Sequence, residues 1–141
     1  MRVCVIDGRG GGLGRRLVEG LRGLTEGRHE LLAMGITEAA AEAMARAGAA
    51  QVVVGRPAIV RAVREVDLIL ASVSLILLGA WQGAVTSDLA RAVLLAPARK
   101  LLLPVNGLGI EIVGAATPTL EAVIAQALRR TEAVLRTPRP T

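Results

Sequence analysis

The sequence predicts a three-layer α/β fold, a doubly wound and mainly parallel sheet of five or six strands in the order 3-2-1-4-5. Three observations predict it. Short apolar runs rich in Val, Leu and Ile alternate with longer amphipathic segments along the whole chain, the pattern of strands buried on both faces and joined by helices. The first run, Val3-Cys4-Val5-Ile6-Asp7, opens into Gly8-Arg9-Gly10-Gly11-Gly12-Leu13-Gly14, five glycines within seven residues. That is the composition of a strand, a tight turn and a helix N-terminus. The core must also be aliphatic, because there is no Phe or Tyr and Trp81 is the only aromatic residue. Right-handed crossovers then place the switch point between strands one and four.

Each element has its own local reason. After strand one, Leu13, Leu17, Val18, Leu21 and Leu24 recur at helical spacing, with Arg15, Arg16, Glu19 and Arg22 opposite. Glu30 to Gly35 reads as strand two. Thr37 can cap the next helix, Glu38 suits its positive end, and Gly48 ends it. Gln51 to Val54 is a short third strand. Pro57 starts a helix whose buried stripe is Ile59, Val60, Val63 and Val66. Leu68 to Ala71 is strand four. Thr86 or Ser87 caps a helix that Pro97 stops, and Lys100 to Val105 is strand five. Ile110 to Val113 is expected to add a short sixth strand. Thr117-Pro118 is expected to begin the last helix, with Leu120, Val123, Ile124, Ala127 and Leu128 on its inner face. Residues 1–135 form one domain, and the tail 136–141 should fray.

Composition excludes several classes. The net charge is +5, almost all of the cations are Arg and Lys100 is the only lysine. The arginines are scattered, and no aromatics interleave for base stacking, so a solvated surface is favoured over a nucleic-acid interface. Cys4 and His29 are each alone, which leaves no disulfide or thiolate metal site within the chain. The glycine cluster stands where a signal peptide would need an apolar core, so a cytoplasmic protein is expected. Leu68 to Ser87 carries no charge, but its serines, glycines and Gln82 favour a strand and loop over a membrane span.

The glycine loop is the strongest chemical signal. Glycines there are expected to permit positive φ and to let phosphate oxygens reach main-chain amides at the start of a helix. The predicted ligand contacts are Asp7, Gly8, Arg9, Gly10, Gly11, Gly12, Leu13 and Gly14 from this loop. Thr37 follows strand two, Ser72 and Ser74 lie opposite the loop across the switch point, and Asn106 and Glu111 follow strand five. Asp7 would repel a phosphate directly, so an orienting role is favoured. The end of strand two, Gly35-Ile36-Thr37-Glu38, lacks a clear acid for an adenosine ribose. Leu75-Ile76-Leu77-Leu78 cannot all face one side, so the Leu75–Trp81 region is expected to be covered in a homo-oligomer.

Gly8, Gly12 and Gly14 fit a spacing that resembles the loop of short-chain dehydrogenases and reductases. That family's catalytic Tyr and its Lys four residues later have no counterpart here, which removes the family's catalysis. Val5 to Gly14, Ala47-Gly48-Ala49, Asp67 to Leu70, Leu103 to Asn106 and Ile110 to Gly114 together resemble an uncharacterised bacterial family, domain of unknown function 3842. The resemblance implies a compact Rossmann-like protein and no established activity. The favoured reading is a nucleotide- or dinucleotide-binding protein, of the NAD(P) type or for another phosphate-containing nucleotide, acting as a sensor or regulator. A ligand-free structural homo-oligomer, and a small enzyme using Asp7, Asn106 or Glu111, are the alternatives.

Overall fold

A computed structural model of the chain describes residues 1–10, 12–115 and 119–137. It contains one five-stranded sheet in the order β3-β2-β1-β4-β5, with every pair parallel. The strands are β1 (Arg2–Asp7), β2 (Glu30–Gly35), β3 (Gln51–Val54), β4 (Leu68–Ser72) and β5 (Arg99–Leu103). The helices are α1 (Gly12–Thr25), α2 (Glu38–Ala47), α3 (Arg56–Ala62), α4 (Ser87–Leu95) and α5 (Leu120–Arg136). Short 3-10 turns follow α3 at Val63–Glu65 and β4 at Val73–Ile76.

Alternation along β1 divides the core. Val3 and Val5 point to one face and pack with Leu17, Val18 and Leu21 of α1, Met44 of α2, and Ile124 and Ala127 of α5. Cys4 and Ile6 point to the other face and pack with Ile59 and Val63, and with Leu89 and Val93 of α4. Helices therefore cover both faces, and side chains two residues apart belong to the same layer. Burial pushes the Cys4 thiol far above its ordinary range, so it stays protonated and unreactive in the folded chain.

Local signals act where the sequence placed them. Thr37 Oγ1 accepts the Ala40 N–H at 3.1 Å, and Gly48 closes α2 at φ 119°. The expected sixth strand does not form: Ile110 to Val113 is loop, and Ile110, Ile112 and Val113 are exposed. Asn106 is the reason. Its Nδ2 donates to the Pro104 and Ile110 carbonyls, and its Oδ1 accepts from the Leu108 and Ile110 amides. With Gly107 and Gly109 at φ 65° and 75°, the segment curls on itself and offers no straight edge to β5. The proposed start of the last helix, Thr117-Pro118, lies outside the described residues. Thr119 caps α5 by accepting the Ala122 N–H. Arg136, placed in the fraying tail, is the last residue of α5, and residues 138–141 lie outside the described set.

The uncharged stretch from Leu68 to Ser87 is divided among β4, a 3-10 turn, a loop and the first residue of α4, and no helix among the described residues is long and apolar enough to cross a membrane. Its consecutive aliphatics separate: Leu75 is buried, Ile76 and Leu77 pack partly, and Leu78 is 72% exposed.

Register on the two sides of β1 is unequal. Pairing with β2 runs from Arg2↔Glu30 to Asp7↔Gly35, whereas pairing with β4 runs only from Val3↔Leu68 to Val5↔Leu70. Beyond Val5, β1 and β4 part.

Gly35 tests how tightly this end of the sheet is built. A Cβ there would lie 2.5 Å from the Ala41 backbone nitrogen, whereas a Cβ at Gly20 would meet only the movable end of Leu128. Gly35→Ala should cost about 1–3 kcal/mol in urea unfolding. Gly20→Ala, which gains helix propensity, should stay within about 1 kcal/mol of the parent.

Candidate functional site at the switch point

The parting of β1 and β4 opens a crevice of about 200 Å³, lined by Ile6, Asp7, Gly10, Gly12, Leu13, Ser72, Ser74, Trp81, Val105 and Asn106. It lies where doubly wound sheets hold ligands, outside the strands' carboxyl ends at the reversal of strand order. Seven predicted contacts meet there: Asp7, Gly10, Gly12, Leu13, Ser72, Ser74 and Asn106. A larger cleft, about 530 Å³, runs along the open edge of β5 against α5. Its charged lining groups are Arg130 and Lys100, and the Lys100 ammonium already donates to the Ala96 and Ala98 carbonyls.

The predicted loop residues do different jobs. Asp7 Oδ2 accepts the Gly14 N–H at 2.7 Å, and Oδ1 accepts the Arg9 N–H at 3.4 Å. The carboxylate thus takes one of the first-turn amides of α1 that lack an intrahelical acceptor. Positive φ is not what the described glycines supply, because Gly8, Gly10, Gly12 and Gly14 are not among the left-handed residues. At Gly8 a Cβ would overlap the Trp81 ring at 2.1 Å, and at Gly14 it would crowd Met44 Sδ and the Asp7 carboxylate. Those two glycines are required by close approach within the chain. Gly10 and Gly12 have nothing within 4 Å of an added Cβ, so the fold's own packing gives them no reason to be glycine. Gly11 lies outside the described residues.

The other predicted contacts lie outside the crevice or are engaged within the chain. Glu111 is exposed on the loop after β5 and is not in the crevice. Thr37 is also outside it: besides capping α2, its hydroxyl donates to the Arg9 carbonyl at 2.7 Å and ties the glycine loop to the end of β2. Arg9 is exposed, and its guanidinium donates to Gln82 Oε1 at 2.9 Å. Asn106 lines the crevice, but its amide is engaged by its own loop. The Ser72 hydroxyl donates to the Val105 carbonyl and accepts the Ser74 N–H at 3.1 Å. These side chains serve backbone groups bared at strand ends. Of the residues named for a small enzyme, Asp7 and Asn106 line the crevice and Glu111 does not.

Ser74 differs from them. It is 1% exposed, and its Oγ is the one buried side-chain polar atom without a partner among the described residues. Trp81, at the end of the region expected to be covered in a homo-oligomer, lines the crevice and lies on Gly8. Trp81 and Gln82 are the described non-glycine residues with positive φ, 56° and 55°, a costly conformation of the sort that gathers at functional sites. No local signal could have joined Trp81 to Gly8; only the topology brings them together.

The chain can be set beside known proteins. It superposes on the crystal structure of AibC with a TM-score of 0.51 at 23% identity, over 94% of this chain and 39% of that one. It superposes on a nucleoside-diphosphate-sugar epimerase from Pseudomonas aeruginosa with a TM-score of 0.51 at 19% identity, over 98% of this chain and 50% of that one. At such identities the likeness shows the fold, and the chain spans half or less of either protein's length. No curated protein matches it. The model of a family described as a domain of unknown function, DUF3842, matches residues 2–136.

The Asp7 bond is directly testable. Asp7→Ala removes the acceptor of the Gly14 N–H and should lower stability by about 1–2 kcal/mol in urea unfolding. A change below a few tenths would mean that the bond does not hold the start of α1.

Proposed function

The chain belongs to the family described as domain of unknown function 3842, and since that description assigns no activity, we propose from the site itself that the protein binds a phosphate-bearing nucleotide in the β1–β4 crevice. The phosphate would sit against the first-turn amides of α1 at Gly12 and Leu13, where backbone donors and the helix dipole favour an anion. The observation that carries this reading is the pair Gly10 and Gly12, whose missing side chains leave space that no atom of the described residues beyond their chain neighbours fills. Glycine is what close approach of a ligand to the backbone requires.

A full dinucleotide of the NAD(P) type is less well supported than a smaller nucleotide. The end of β2 brings no acid to an adenosine ribose, and the Thr37 hydroxyl there is spent on Arg9. One structural neighbour is named for nucleoside-diphosphate sugars; that likeness supports the fold, and the ligand class rests on the crevice. A second reading, a ligand-free structural or regulatory protein, is favoured by one observation: Asp7 already satisfies the Gly14 N–H as a bound anion would.

Gly12→Val separates the two. A Cβ at Gly12 meets nothing, so the unliganded variant should melt close to the parent, while the added methyls fill the phosphate position. In scanning calorimetry with nucleoside mono- and diphosphates and NAD(P), the parent should gain about 2.7 kcal/mol at a hundred times the dissociation constant of a true ligand. The variant should gain nothing. If no nucleotide stabilises the parent, the ligand-free reading stands.

A further inference from the structure

We propose that the ligand enters the crevice end-on through a terminal phosphate monoester, and that the Ser74 hydroxyl is the side chain that binds it. This narrows the phosphate reading above and rests on it. The starting point is the buried Ser74 Oγ. Buried hydroxyls in folded proteins nearly always find a partner, because an unpaired one has given up its water for nothing. Ser72, two residues earlier, follows that rule with two bonds. Ser74 does not, and it lines the same crevice as Gly12 and Leu13. Ser74 on one wall, its hydroxyl buried and unpaired, and helix-start amides on the other bring together donors suited to phosphate oxygens.

The shape of the crevice decides which phosphate. A dinucleotide carries its phosphates internally, with a nucleoside on each side, so it needs two ways out. On the β2 side the way is closed. Thr37 Oγ1 holds the Arg9 carbonyl at 2.7 Å, Trp81 lies on Gly8, and Gln82 is bonded to the Arg9 guanidinium. No residue of the β2–α2 connection lines the crevice. Its volume, about 200 Å³, is below the ~300 Å³ at which pockets begin to enclose a whole drug-sized ligand. One end of a molecule fits, with the remainder passing outward.

Both a nucleoside monophosphate and a sugar phosphate carry a terminal phosphate monoester, and titration calorimetry distinguishes them. The probes are AMP, GMP, glucose 6-phosphate, ribose 5-phosphate and NAD, with the parent and Ser74→Ala. At least one monoester should bind the parent, with NAD at least ten-fold weaker. The nucleotides binding alone would assign a base; the sugar phosphates binding alone would keep end-on entry and overturn the nucleotide reading. Ser74→Ala should weaken the bound monoester roughly ten-fold or more, the loss expected for one hydrogen bond to a charged oxygen. Its unliganded melting temperature should hold or rise, since the change deletes an unpaired buried hydroxyl; a fall would reveal a structural role and overturn the assignment. Equal monoester binding by parent and variant would also overturn it. NAD binding as tightly as the monoesters would overturn end-on entry and leave the nucleotide reading intact. No binding by any probe would overturn both.

Discussion

The separation of β1 from β4 after Val5 is the constraint on which the rest of the molecule depends. β1 keeps its register with β2 as far as Asp7, because both strands lead into helices on the same face. β4 instead leads through its 3-10 turn to α4 on the opposite face. Chains leaving a sheet in opposite directions cannot remain paired to their ends, so a crevice forms by topology before any side chain is chosen. The beginning of α1, the glycine loop and the Ser72–Ser74 turn are arranged around that opening.

Most polar groups at and around the opening are used by the protein itself. Strand ends and tight loops bare amides and carbonyls that must be paired. Asp7 serves Gly14 and Arg9, Ser72 serves Val105 and Ser74, Asn106 serves its own loop, and Thr37 serves Ala40 and Arg9. The result is a stiff rim around a small hollow. Against that background, one buried hydroxyl without a partner is conspicuous in a way that a dozen exposed ones would not be.

This division explains what could be read from the residues alone. Strand order, the two core layers and the caps at Thr37 and Gly48 follow from periodicity and local chemistry, and these were legible. The strand expected at Ile110 to Val113 had β-branched alternation and the open edge of β5 beside it, but the Asn106 side chain curls the segment on itself instead. The glycine loop was found for its composition, but its reasons lay elsewhere. Gly8 and Gly14 answer to Trp81, Met44 and Asp7, contacts that only long-range topology creates. Which of Asp7, Ser72, Ser74 and Asn106 remains available to a ligand depends on backbone partners, and no sequence pattern reports those.

Trp81 has a consequence beyond packing. The chain has no tyrosine or phenylalanine, so its near-ultraviolet absorption and intrinsic emission come from a single indole. That indole lies on Gly8 at the mouth of the crevice, in a loop held by its own small apolar cluster with Ala80 and Val85. The molecule carries a built-in optical label beside the crevice proposed to hold its ligand, and no other aromatic chromophore of the chain obscures it.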